Sequence, residues 1–138
     1  MNHIRPNALC IFSYKDKTLA CCGFDRQTGE KFYRLLGGGI EIGETSSVTI
    51  KREIKEELGF EICDTQKLII IENIFQYNGE QGHEITFLYK GSFVNKDAYT
   101  QNTLQILDKE NCYVEWIPIS DVRDKKIILY PKEAIDYL

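Results

Sequence analysis

The chain has 138 residues, with 17 Lys and Arg against 21 Asp and Glu and a formal net charge of −4. That length and composition fit one globular domain, residues 1–138, and leave no room for two. The acidic balance excludes a protein that grips nucleic acid through a broad basic surface. It does not exclude a small phosphorylated ligand whose charge a metal ion neutralises. The five cysteines, Cys10, Cys21, Cys22, Cys63 and Cys112, form no Cys-x-x-C pair and have no histidine cluster beside them. They predict reduced thiols, not a disulfide frame or a zinc site. The opening Met1-Asn2-His3-Ile4-Arg5-Pro6 lacks the apolar run of a signal peptide, and no stretch approaches a membrane span. The expectation is a soluble cytoplasmic protein with no nucleic-acid or membrane partner.

In chain order, the apolar runs Ala8 to Tyr14 and Thr18 to Phe24, separated by Lys15-Asp16-Lys17, predict an early hairpin. Phe32 to Leu36 predicts another strand, running into Gly37-Gly38-Gly39, where backbone must turn sharply or approach something closely. From Thr45 to Leu58 the period becomes helical, with Ile50, Ile54 and Leu58 on one face. Thr45 or Ser46 caps its start, and Gly59 stands where it ends. Lys67 to Gln76 and Glu84 to Phe93 predict two strands joined by the turn-rich Asn78 to Gly82. Asn95 to Asn111 is polar and poorly periodic, Tyr113 to Ile117 predicts a last strand, and Pro131 suits the first turn of a helix closing at Leu138.

The predicted helix carries an unusual charge pattern. At the helical rotation per residue, Glu57 lies about 40° from Glu53 on one side and Glu56 about 60° on the other. Three carboxylates therefore share one flank, bordering the apolar stripe, and repel one another. Arg52 pairs with Glu56 at four residues' spacing, but one cation does not balance three anions. An ordinary solvated charged face would account for the helix alone. The glycines just before it change that reading, because they bring backbone carbonyls and amides beside the same carboxylates. Hard oxygen donors around a gap suit Mg²⁺ or Mn²⁺. A P-loop reading fails, since no Gly-Lys-Ser/Thr follows these glycines.

Read from Gly38, the sequence gives Gly, five residues, Glu44, seven residues, Arg52-Glu53-Ile54, one residue, Glu56-Glu57, one residue and Gly59-Phe60. This resembles the Nudix box of the MutT-like Nudix hydrolases at every defined position. The lead-in Gly37 to Glu44 is similar to the family's as well, although Leu36 stands where many members have Pro. His83 to Phe87 and Glu115 to Ile119 look like later strands of the family. The resemblance implies an α+β fold, an α/β/α sandwich with a mixed central sheet. It implies an enzyme that hydrolyses the diphosphate linkage of a nucleoside diphosphate joined to another moiety, using Mg²⁺ or Mn²⁺. It further implies Glu53, Glu56, Glu57 and the Gly38 carbonyl as metal ligands, Glu53 or Glu56 as the catalytic base, and Glu44 with Arg52 as a bracing ion pair. A catalytically inert nucleotide-binding regulator is the alternative, and the intact Glu53, Glu56 and Glu57 favour the enzyme.

Substrate contacts are less defined. Arg34 is a candidate for a phosphate, and Glu41 for the metal shell or substrate. Phe12, Tyr33, Phe75 and Tyr77 are aromatic enough to stack a base, with core packing the commoner fate. His83 is expected to pack or cap a strand. Asp108 or Glu110 could add a further acid, as happens in some relatives. Tyr77 falls near a position that marks dinucleoside polyphosphate hydrolases, while Phe75 and Gln76 stand where many ADP-ribose hydrolases have Pro. A small nucleotide is the expected substrate, and dimers are common among relatives, so a homodimer is compatible with the reading.

Overall fold

The computed structural model describes residues 3–107 and 113–138. Among these residues the strands are β1 (Arg5–Ile11), β2 (Ser13–Tyr14), β3 (Lys17–Phe24), β4 (Lys31–Arg34), β5 (Leu36–Gly39), β6 (Ile62–Tyr77), β7 (Glu80–Phe93), β8 (Thr103–Gln105), β9 (Tyr113–Pro118) and β10 (Leu129–Tyr130). Helix α1 (Ser46–Leu58) follows β5, α2 (Ile119–Arg123) follows β9, and 3₁₀ helices cover Lys96–Tyr99 and Lys132–Tyr137. The fold is α+β, as expected, with the strands divided between two mixed sheets. One has the order β5-β1-β7-β6, in which β1 and β7 are parallel and the outer pairs antiparallel. The other runs β10-β4-β3-β9-β8, with β2 beside β3 and β10 parallel to β4.

β1 shows why two cores form. Ala8 and Cys10 join Ile50, Ile54 and Leu58 of α1 with Tyr89 and Phe93. The alternate residues Leu9 and Ile11 join Leu88, Tyr33 and Leu35 with Val122 of α2 and Ala134 of the C-terminal 3₁₀ helix. A near-continuous apolar run is what a strand buried on both faces requires. Helical cover on opposite sides of it gives the α/β/α layering.

That same property defeats strand assignment from sequence. Ala8 to Tyr14 does not form a hairpin with Thr18 to Phe24. The chain changes sheets at Phe12, which is fully buried and stacked on Phe93 at 4.2 Å. Ser13 and Tyr14 pair back, onto Thr18 and Lys17, and the Leu19 N–H donates to the Phe12 carbonyl at 3.1 Å, where the short ladder ends. The run from Phe32 to Leu36 likewise splits, β4 in one sheet and β5 in the other, with buried Leu35 between them. The glycines continue as β5 and make no sharp turn there. Close approach is their reason: a Cβ on Gly37, whose φ is +151°, would stand 1.9 Å from the Ala8 carbonyl oxygen.

Helix α1 matches its expected span. The Thr45 hydroxyl accepts from the Val48 N–H at 3.4 Å, and Gly59 closes the helix in the left-handed region by donating to the Lys55 carbonyl at 2.9 Å. Burying Ile50, Ile54 and Leu58 is worth roughly 1.5–3 kcal/mol each, and the cap about 1 kcal/mol. A hydroxyl pair, Ser46 with Tyr89 at 2.6 Å, fixes the helix start on β7. The long hairpin extends beyond its predicted runs and turns on Asn78-Gly79 alone, both at positive φ. Within the polar stretch from Asn95, β8 pairs with β9, an order that hydrophobic periodicity did not reveal. Asp108, Glu110 and Cys112 lie outside the described residues. Pro131 precedes a 3₁₀ helix instead of opening an α-helix. Among the described residues no helix is long and apolar enough to cross a membrane.

Candidate active site

The site forms where α1 lies against β5. In register, Gly38 sits opposite Ala8 of β1. A Cβ on Gly38 would stand 2.3–2.6 Å from the carboxyl atoms of Glu53. The carboxylate of Glu53 therefore rests on bare backbone, in the space any other residue would fill, and only 18% of its side chain is exposed.

Arg52 organises the surrounding charges. Its Nε and Nη2 donate to the two oxygens of Glu44 at 2.6 and 2.9 Å, a fork on a carboxylate. Nη1 reaches Oε1 of Glu53 at 3.0 Å and Oε2 of Glu56 at 3.3 Å, and Nη2 also donates to the Gly39 carbonyl at 3.2 Å. One guanidinium thus ties the loop before α1, the flank of α1 and the edge strand β5 together. Glu41 stands 3.9 Å from Nη2 and is 70% exposed, so this contact is loose. Glu44 also accepts from the Thr49 hydroxyl at 2.9 Å and the Glu41 N–H at 3.1 Å. The Arg52 hydrogen bonds, reinforced by those two donors against partial burial, pull the Glu44 carboxyl from 4.5 down to about 2. The same partnership, Glu44 first, raises the pKa of Arg52. Sequence reasoning missed Thr49 and the Gly39 carbonyl, because their contacts depend on how β5 lies beside the helix.

Glu56 is exposed and Glu57 half-buried on the same helix flank. The Glu57 carbonyl accepts from the Leu107 N–H at 2.7 Å, which ties the end of α1 to the chain just before residue 108. The structure thus gathers Gly38, Glu41, Glu44, Arg52, Glu53 and Glu56, with Glu57 one turn on. Arg34 is exposed on β4 in the other sheet and makes no ion pair among the described residues. Tyr77 ends β6 with its ring edge-on to Phe32 at 5.8 Å. Phe12 is core, the Tyr33 hydroxyl donates to Glu115, and the Phe75 ring covers Gly82. His83 is half-buried opposite Ile74.

The donor set suits a hard divalent cation, since it consists of carboxylates and backbone carbonyls with no thiol or imidazole. Among the described residues, no three His, Cys, Asp or Glu side chains converge closely enough to hold an ion as they stand. Glu53 and Glu56 turn towards Arg52 instead. The cradle at Gly38 gives Glu53 its place, while Glu56 is exposed and has a flexible stem with which to reorient.

The NUDIX domain family profile matches residues 3–138. The chain belongs to the Nudix family. Among solved structures, this Nudix chain is similar to a MutT NUDIX hydrolase from Burkholderia pseudomallei, at 18% identity and a TM-score of 0.65 over 86% of each chain. It is also similar to a NUDIX-family hydrolase from Clostridium perfringens, at 18% identity and a TM-score of 0.59 over 96% of this chain and 97% of that one. A NUDIX hydrolase from Nitrosomonas europaea gives 18% identity and 0.58 over 97% and 85%. These likenesses show a shared fold. No curated protein matches the chain. As a Nudix hydrolase it is an enzyme of the pyrophosphohydrolase kind, from a family that generally uses divalent metal ions.

Proposed function

We propose that this Nudix enzyme hydrolyses the pyrophosphate linkage of a small nucleoside diphosphate derivative, with Mg²⁺ or Mn²⁺ held by Glu53, Glu56, Glu57 and the Gly38 carbonyl. The observation that carries the reading is the Glu53 carboxylate seated on Gly38 beside a braced Arg52. A bound ion would neutralise the pyrophosphate charge and make an attacking water more acidic. The chain's own residues do the rest. The fork between Arg52 and Glu44 fixes the helix flank against β5, which holds Glu53 in place. Glu53 or Glu56 accepts the proton of the attacking water on a carboxylate oxygen. Glu56 is the better placed, because its only contact with Arg52 is the one at 3.3 Å through Oε2. The water oxygen bonds to phosphorus as the bridging P–O bond breaks, and the leaving phosphate carries away the electron pair. Arg34, Glu41 and Tyr77 are the candidate substrate contacts, and the site of action is the cytoplasm.

The test is a panel of nucleoside di- and triphosphates, ADP-ribose, nucleotide sugars and dinucleoside polyphosphates, with and without Mg²⁺ or Mn²⁺, with products resolved by chromatography. Metal-dependent release of a nucleotide from one class is expected. No turnover of any by folded protein would overturn the hydrolase and leave a nucleotide-binding regulator.

A further inference from the structure

Helix α1 buries a hydroxyl that its apolar stripe does not call for. Thr49 is fully buried, like Ile50 and Ile54 of the same helix. A β-branched hydroxyl residue is a poor helix former, and a buried hydroxyl must find an acceptor. At the helical rotation per residue, Thr49 stands about 40° from Glu53 and about 20° from Glu56. It therefore lies on the carboxylate flank itself, one turn before Glu53. Two acceptors are within reach of its hydroxyl. One is the Thr45 carbonyl, four residues back, at 3.2 Å, and the other is Oε1 of Glu44 at 2.9 Å. A hydroxyl has one hydrogen to give, and a bond to a carboxylate is roughly twice as strong as one to a neutral carbonyl. The hydrogen goes to Glu44.

That choice matters because of what else Glu44 holds. Its Oε1 also accepts from the Glu41 N–H at 3.1 Å and from Nη2 of Arg52 at 2.9 Å, while Oε2 takes Nε of Arg52. The Thr49 hydroxyl comes from the helix and the Glu41 N–H from the loop before it, so together they fix the plane of the carboxylate. The fork carries that plane over to the guanidinium, because both groups are flat and their two bonds run side by side. Nη1 takes no part in the fork, and the direction in which it points follows from that plane. It points at Oε1 of Glu53, 3.0 Å away, and Oε2 of Glu56, 3.3 Å away. The line of contacts thus runs from Thr49 through Glu44 and Arg52 to both carboxylates.

We propose that Thr49 is a positioning residue of the reaction centre, whose hydroxyl aims Arg52, through Glu44, at Glu53 and Glu56. This rests on the hydrolase reading of that centre. Thr49 falls within the seven residues between Glu44 and Arg52 that the Nudix pattern leaves undefined, so the motif assigns it no task. A hydroxyl that merely closed back onto the Thr45 carbonyl would serve the helix alone and leave turnover untouched.

The test compares wild type, Thr49→Val and Thr49→Ser in the full chain at saturating Mg²⁺, each alone and combined with Glu44→Ala. Thr49→Val keeps the shape and loses the hydroxyl. It is expected to lose about tenfold in kcat at an unchanged KM, and Thr49→Ser to recover the loss. Combined with Glu44→Ala, Thr49→Val is expected to change nothing further, since the route through Glu44 is already cut. A readout that needs no substrate is the NMR signal of the Arg52 Nε–H, which is expected to broaden in Thr49→Val and to sharpen again in Thr49→Ser. Thr49→Ala removes the hydroxyl without pressing a methyl on Glu44, and is expected to behave as Thr49→Val does, which keeps the test decisive if that variant does not fold. Undiminished kcat in the hydroxyl-free variants, the same tenfold loss with and without Glu44, or an unmoved Arg52 signal would overturn the proposal even if metal-dependent hydrolysis persists. Broadening in Thr49→Val and recovery in Thr49→Ser, in a protein that hydrolyses nothing, would instead support the aiming of Arg52 and overturn the hydrolase reading.

Discussion

Arg52 spends its N–H groups on Glu44, Glu53, Glu56 and the Gly39 carbonyl, and Glu44 answers with both oxygens. The folded-state pKa of Glu44 is depressed from 4.5 to about 2, so its stabilising contribution is fully present above about pH 4.5. That contribution is lost as pH falls through this window towards 2. Glu44→Gln is therefore expected to lower the melting temperature at neutral pH and to lose less on acidification between pH 5 and pH 2 than wild type. Parallel melting curves across that range would count against the pair. At this scale the sequence is informative where contacts are local. Glu53, Glu56 and Glu57 share a flank through helical spacing alone. Thr49 and the Gly39 carbonyl are joined to the site by tertiary placement, and no spacing in the chain announces them.

At the scale of elements, β5 sets two adjacent glycines different tasks. A side chain on Gly37 would strike the backbone of Ala8, at a φ that L-residues rarely adopt, and backbone cannot step aside. The nearest atoms that a side chain on Gly38 would strike belong to the end of the Glu53 side chain, which can move. Gly37→Ala is expected to cost more than about 2 kcal/mol in urea unfolding. Gly38→Ala is expected to stay within about 1 kcal/mol of wild type while losing roughly 100-fold in kcat/KM, since Glu53 is pushed from its seat. Equal stability losses in both would show that Glu53 does not rest there. α1 and the β6–β7 hairpin could be read from the sequence because each has one period throughout and ends on its own punctuation, Thr45 and Gly59 or Asn78-Gly79. β1 to β5 could not be parted correctly, because Ala8 to Phe12, and likewise Tyr33, Leu35 and Leu36, are apolar whichever sheet holds them.

Across the whole molecule, the two cores on opposite faces of β1 hold α1 on one side and the C-terminal segment on the other. The layers followed from the order of elements together with the Nudix box, while the division into two sheets did not, since it depends on the sheet change at Phe12. α1 is fixed at its start by Ser46 and Tyr89 and near its end by the contact of Glu57 with Leu107, so its carboxylate flank is presented on a rigid element. In the proposed reaction this flank works through metal. Turnover measured against Mg²⁺ concentration, for wild type and Glu57→Gln side by side, tests it most directly. Wild-type turnover is expected to require the ion, and Glu57→Gln to lose at least about 100-fold in kcat with its circular dichroism and melting temperature unchanged. Undiminished turnover in Glu57→Gln, or turnover indifferent to metal, would contradict the account.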